Sequence, residues 1–151
     1  MAAAAVLTIS AEMAYDFLSH LPNHARIAGR RLRVESLATE RLGGRIVIRG
    51  PLGLRRTAVT TITYLTPSRG VGGIAEVGRR TAGLVDWEIQ RLAAGCRVTL
   101  RATIVRAGAF DRMLFALGGR WWLTRGFARA VALLGEVAAD QSAVKEIDGV
   151  F

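Results

Sequence analysis

The order of hydrophobic periodicities along this chain constrains its fold more than any single residue does. A short run with strand character, Val6 to Ser10, comes first, and a helical stretch interrupted by Pro22 follows. About six strand-like runs come next. A long apolar helical segment, Phe110 to Ala139, closes the chain. Thr8-Ile9-Ser10-Ala11-Glu12 marks the first change of period, and Gly108-Ala109-Phe110 marks the last. Elements in this order predict a curved antiparallel sheet with a long helix across its mouth. A space between the two would suit an apolar small molecule.

Local signals support the order. Ser10 is a good N-cap, because its hydroxyl accepts from a free amide of the first helical turn. Glu12 stands where the helix dipole favours an anion. Met13, Phe17, Leu18 and Leu21 recur at helical spacing, so one face is apolar. Pro22 restarts the helix, and Asn23 to Ala28 forms a second short piece ended by Gly29.

The strand-like runs are Leu32 to Thr39, Arg45 to Arg49, Thr57 to Leu65, Ile74 to Val77, Leu84 to Gln90 and Arg97 to Val105. Gly50-Pro51-Leu52-Gly53 and Gly70 to Gly73 read as loops between them. The last two runs specify their own register. A turn over Leu92 to Gly95 sets Val85 against Ala102, Trp87 against Leu100 and Ile89 against Val98 on one apolar face. Asp86 then meets Arg101 on the other face. In the preceding hairpin, Ile46 and Ile48 are expected to share a face with Thr60, Ile62 and Tyr64.

Projected at about 100° per residue, the closing segment places Asp111, Arg125, Arg129, Glu136 and Asp140 on its solvent side. Met113, Leu117, Phe127, Val131 and Leu134 face the sheet. Gly118-Gly119 weakens or kinks the helix and makes a hinge there plausible. Phe115, Trp122 and Leu133 fall on the polar side unless such a kink rotates them inward. Trp121-Trp122 beside Arg120 and Arg125 would suit transient contact with a membrane surface.

The chain has 151 residues, 51% of them hydrophobic, which excludes a disordered chain and allows one domain with a substantial core. That domain is expected to span residues 1–151, with its core at about 6–139. The net charge is +9, nearly all of it arginine, with Lys145 the sole lysine. Those arginines are spread along the chain and not clustered among aromatics, so no nucleic-acid partner is expected. Arg-, Ala- and Gly-rich usage of this kind accompanies GC-rich genomes. No apolar run reaches the roughly 20 residues a bilayer span requires. Met1 to Leu7 lacks the basic start of a secretion signal. Cys96 is the only cysteine, so a disulfide within the chain is excluded and a cytoplasmic location follows most simply. A monomer or homodimer is expected.

Candidates for chemistry are sparse. His20 and His24 lie four apart, but Pro22 between them spoils the helical spacing a metal would use, and they read as surface or helix-end histidines. Cys96 has no histidine partner nearby in sequence and reads as an inert thiol. Glu76 and Asp86 make no acid–base pair. The glycines of Gly70-Val71-Gly72-Gly73 precede no helix, which argues against a phosphate cradle. No catalytic residue, metal or cofactor is expected.

The inner face remains. Trp87, Ile89, Val98, Leu100, Ala102 and Ile104 line the sheet. Phe17, Leu21, Met113, Leu117, Trp121, Phe127 and Val131 would cover it from the helices, with the hydroxyls of Thr60 and Tyr64 among them. Arg49 and Arg56 flank the Pro51 turn, where one of them would meet an anionic head group at the entrance.

The order of elements, together with the segment Ile9-Ser10-Ala11-Glu12-Met13-Ala14-Tyr15-Asp16-Phe17-Leu18, resembles the START-like SRPBCC superfamily. Within it the chain is most similar to bacterial polyketide cyclase/dehydrase and lipid-transport-like proteins. The resemblance covers roughly Val6 to Ala139 and rests on loose motifs. It implies an α+β helix-grip fold, with a seven-stranded antiparallel sheet wrapped around a long C-terminal helix and two short helices between strands 1 and 2. It also implies that the interior is a ligand pocket and not a filled core. The ligand-binding set is then Phe17, Thr60, Tyr64, Trp87, Ile89, Leu100, Ala102, Met113, Leu117, Trp121 and Phe127. The expected function is non-catalytic binding or transport of a lipid, quinone or polyketide-like molecule. A polyketide aromatase/cyclase, with Tyr64 or Arg49 assisting proton transfer, is the enzymatic alternative. Gly50-Pro51-Leu52-Gly53-Leu54-Arg55-Arg56 also looks like the quinone-binding subgroup that accompanies carbon monoxide dehydrogenases, which implies an accessory subunit of a redox enzyme.

Overall fold

Ser10 starts the first helix as its N-cap: its Oγ accepts from the Met13 amide at 3.1 Å. The computed structural model describes residues 1–38 and 42–148. Its strands are β1 (Ala2–Leu7), β2 (Leu32–Leu37), β3 (Gly43–Arg49), β4 (Arg55–Thr66), β5 (Gly70–Val77), β6 (Thr81–Arg91) and β7 (Cys96–Arg106). Helices α1 (Ala11–Leu18) and α2 (Leu21–Ala28) separate β1 from β2, and α3 (Ala109–Leu114) and α4 (Arg120–Asp148) end the chain. All seven strands form one antiparallel sheet in the order β1-β7-β6-β5-β4-β3-β2. This is the expected α+β arrangement: the sheet wraps a long C-terminal helix, and two short helices follow strand 1.

Two strand boundaries differ from expectation. The first strand is Ala2–Leu7, not Val6 to Ser10. Alanine has little intrinsic preference for strands, yet the backbone of Ala2 to Leu7 pairs residue by residue with β7. Gly70 to Gly73 is not a loop. These residues begin β5 and pair with β4 on one side and β6 on the other. Thr39, the expected end of the second strand-like run, lies outside the described residues.

The β6–β7 register is as expected, with Val85 opposite Ala102, Trp87 opposite Leu100, Ile89 opposite Val98 and Asp86 opposite Arg101. The charge pairing differs. Arg101 reaches diagonally to Glu88 at 3.6 Å, while Asp86 accepts from the Tyr64 hydroxyl at 3.1 Å. Tyr64 reaches Asp86 because β4 carries a bulge between Ile62 and Tyr64. One extra residue inverts the alternation beyond it. Tyr64 therefore leaves the face of Ile46, Ile48, Thr60 and Ile62, and its ring lies across Gly72.

The C-terminal segment bends. From Phe115 to Gly119 the helix widens into a π-type turn, with Leu117 at ψ 15° and Gly118 at φ 107°. A side chain at that φ would be strained, so glycine suits the position. The bend resets the helical phase. Phe115 and Trp122, expected on the polar side, turn inward to the space under the sheet, and Leu133 packs against the core. Met113 and Leu117, expected against the sheet, turn outward and are 50% and 77% exposed. Val131 and Leu134 do face the sheet and are fully buried with Leu18, Val71 and Val98.

Asp111, expected on the solvent side, is buried. Its Oδ2 accepts from Arg56 at 2.8 Å and from the Thr81 hydroxyl, while Thr81 Oγ1 accepts from the Gly108 amide at 3.1 Å. The Arg56 guanidinium also lies 5.3 Å from the centre of the Phe110 ring. Together these contacts fix the start of α3 to β4 and β6.

Candidate functional site

The concave face of the sheet and the helices do not close on one another. Between them lies an apolar cavity of about 300 Å³. Its floor is inward-facing sheet residues: Ile46 and Ile48 from β3, Thr60 and Ile62 from β4, Val85 and Trp87 from β6, and Leu100, Ala102 and Ile104 from β7. Gly73, Ala75 and Gly83 lie across the same face, and their small size leaves the space open. Leu21, His24, Ile27 and Arg31 form one wall, and Phe115, Trp122, Leu123, Gly126, Phe127 and Ala130 form the roof.

Of the residues expected to bind ligand, Thr60, Trp87, Leu100, Ala102 and Phe127 line this cavity. Phe17 and Ile89 are buried in the packed core beside it, at the α1 end of the sheet. Tyr64 stands on the outer face, for the reason given by the bulge. There burial and the adjacent Asp86 carboxylate raise its phenol pKa above the usual value. Met113, Leu117 and Trp121 are on the outside of the helical roof; Trp121 is 63% exposed, with the Arg125 guanidinium 4.7 Å from its ring.

The two expected entrance residues do not line the cavity. Arg49 is exposed on β3. Arg56 is engaged by Asp111 and by the Phe110 ring.

Polar groups interrupt the apolar lining at a few points. The Thr60 hydroxyl donates to the Gly44 carbonyl at 3.3 Å. His24 Nε2 lies 2.7 Å from the Leu18 carbonyl, which can only accept, so Nε2 carries the proton. Burial lowers the His24 pKa, and the bond to Leu18 opposes that shift in part. The ring is therefore neutral near pH 7, its Nδ1 an acceptor without a partner among the described residues, and it packs edge-on to Trp87 at 5.8 Å. The reading of His24 as a surface or helix-end residue gives way to this placement. His20 does lie exposed at the start of α2, with Nδ1 2.8 Å from the Asp16 carbonyl. Arg31 lies with its guanidinium 4.9 Å from the centre of the Trp122 ring, and its Nη1 is buried without a hydrogen-bond partner.

Sequence reasoning missed His24, Arg31, Phe115 and Trp122. The first two had a detectable signal: His24, Ile27 and Arg31 follow Leu21 at helical spacing. The two aromatics required the bend at Gly118.

Among the described residues, no group of three or more His, Cys, Asp or Glu is placed to hold a metal. Cys96 is buried, with Sγ 3.8 Å from the Ser10 carbonyl. Burial, and secondarily the Glu12 carboxylate, push its thiol pKa up, away from nucleophilic use. Among the described residues no helix is long and apolar enough to cross a membrane.

No known family's sequence profile matches the chain, and no curated protein matches it. Solved structures do match in fold. A Thermus thermophilus protein aligns with a TM-score of 0.68 at 14% identity, over 94% of this chain and 98% of the other. A Staphylococcus aureus protein of unknown function aligns with a TM-score of 0.67 at 14% identity, over 95% and 94%. An Arthrobacter aurescens protein aligns with a TM-score of 0.66 at 10% identity, over 92% and 85%. At such identities the likeness establishes the fold alone, an α+β sheet wrapped around a C-terminal helix.

Proposed function

We propose that this protein binds and carries an apolar small molecule, a lipid, quinone or polyketide-like compound, without transforming it. The observation behind the reading is the apolar cavity of about 300 Å³. Protein interiors pack densely, with few voids larger than a water molecule. A space of this size lies at the lower end of small-molecule sites, which pair apolar walls with a few orienting polar groups. Thr60, His24 and Arg31 are such groups. Carriage is favoured over turnover because Tyr64 and Arg49, the residues a cyclase would use, stand outside the cavity. Membership of the START-like SRPBCC superfamily and a cytoplasmic site of action belong to the same proposal.

Native mass spectrometry of the purified protein, with solvent extraction of what travels with it, tests the reading. A stoichiometric apolar compound is expected. A clean apo mass, with no binding when lipids, quinones or polyketides are added, overturns it.

A second observation concerns loading. Met113, Leu117 and Trp121 are exposed on the segment that roofs the cavity, among the exposed Arg112, Arg120 and Arg125. Apolar and indole side chains beside arginines, on a chain of net charge +9, fit an anionic lipid surface. The protein is expected to co-sediment with vesicles containing phosphatidylglycerol and not with neutral phosphatidylcholine vesicles. Equal lack of binding to both removes this part of the proposal.

A further inference from the structure

Among the described residues Arg31 is the one charged side chain in the cavity lining; the Met1 ammonium, also at the lining, donates to the Ala102 carbonyl at 2.8 Å. Among the described residues no Asp or Glu lines the cavity, and the only other ionisable side chain there, His24, has its Nε2–H committed to the Leu18 carbonyl. Among the described residues the Arg31 guanidinium makes no hydrogen bond and no salt bridge, and its Nη1 is sealed from solvent. A guanidinium cannot shed its proton in a protein, so the charge remains. Arg31 is partly buried as a residue, and sealing one nitrogen of a guanidinium from water without an acceptor is unfavourable. The Trp122 face, 4.9 Å away, offsets a part through cation–π attraction but accepts no hydrogen bond.

The guanidinium also reaches the roof. Nη1 lies against Gly126 of α4, where an added Cβ would stand 2.9 Å from it. A larger residue at 126 would displace the flexible end of Arg31 from this place between the α2 wall and the roof. A flat, five-donor cation thus stands at one end of an apolar cavity, with no anion beside it among the described residues.

From this juxtaposition we infer that the cavity ligand is an apolar carboxylic acid, its carboxylate held by Arg31 on the Trp122 platform and its apolar body against Trp87, Leu100 and Phe127. The planar guanidinium fork matches a carboxylate in two parallel hydrogen bonds. The inference rests on the container reading and narrows it: a neutral lipid or quinone would fill the same space but leave Arg31 unpaired.

Titration calorimetry on the full chain, stripped of bound lipid, with decanoate and decan-1-ol separates the two levels. Wild type is expected to bind decanoate at least about tenfold more tightly than decan-1-ol, the scale of one charge-assisted pair. Arg31→Gln is expected to abolish that preference while leaving decan-1-ol affinity within about twofold. Arg31→Met removes the sequestered charge without leaving a polar group, a change proteins often tolerate. It serves as the second variant, with the same expected result. Equal affinity of wild type for the two probes, or a preference for the acid that survives both substitutions, overturns the anion subsite while the container reading stands. Failure of wild type to bind either probe overturns both.

Discussion

The Leu18 carbonyl holds His24 by its Nε2 proton, and burial keeps the ring neutral. That arrangement has a pH consequence with a definite sign. The folded pKa lies below the 6.5 of an ordinary histidine, so below about pH 6.5 the unfolded chain takes up the proton first. Stability is therefore expected to hold above that pH and to fall as pH drops through it toward the lowered folded value. Urea midpoints at pH 7.5 and 5.5 measure the loss, and His24→Gln should shrink it. Cys96 offers a second residue-scale test. A buried thiol with a raised pKa should react slowly with iodoacetamide in the native protein and rapidly in denaturant. Fast native labelling would contradict its burial. Neither placement was legible in the sequence in full: the hydroxyl cap of Ser10 is a local matter, but the wall that buries His24 comes from strands and helices far along the chain.

Among the elements, the bent C-terminal helix decides most. Its two pieces are out of phase because Gly118 adopts φ 107°. Gly118→Ala should cost about 1–2 kcal/mol from strain at that φ, read as a lower Tm in a thermal melt. The anchor at the start of α3 is a separate matter. Asp111→Ala leaves the half-buried Arg56 and the Thr81 hydroxyl without their acceptor, and should cost about 1–3 kcal/mol. A double-mutant cycle with Arg56→Met would measure the part owed to the pair. The same scale shows where helical projection succeeds and fails. It places Val131 and Leu134 correctly, because α4 is regular there. It misplaces Met113, Leu117 and Asp111 before the wide turn, and Trp121 and Trp122 just after it, because that turn breaks the single phase the projection assumes. In the sheet, the self-consistent pairs of β6 and β7 were readable, whereas the bulge that expels Tyr64 from the inner face left no mark in the alternation Thr60, Ile62, Tyr64.

At the scale of the whole molecule, the packed half and the open half of the interior have different tasks. Leu134, fully buried against the α1 end of the sheet, belongs to the packed half. Leu134→Ala should destabilise by about 2–5 kcal/mol without weakening ligand affinity in the protein that remains folded. Ala75→Phe belongs to the open half: it should fill the cavity, lower binding of apolar probes by an order of magnitude or more, and leave Tm within a few degrees. Binding unchanged by Ala75→Phe would place the ligand elsewhere. The sequence by itself determined the element order, the fold class, the β6–β7 register and the caps and breaks at Ser10, Pro22 and Gly29. Each of these depends on residues close in the chain or on two patterns that agree. Only the tertiary structure decided which apolar residues pack and which line a space. That distinction depends on how far the helices stand from the sheet, on the Gly118 bend that brings Phe115 and Trp122 inward, and on the α2 wall that sets His24 and Arg31 into the cavity. Apolar side chains look alike in sequence whether they meet a neighbour or an opening.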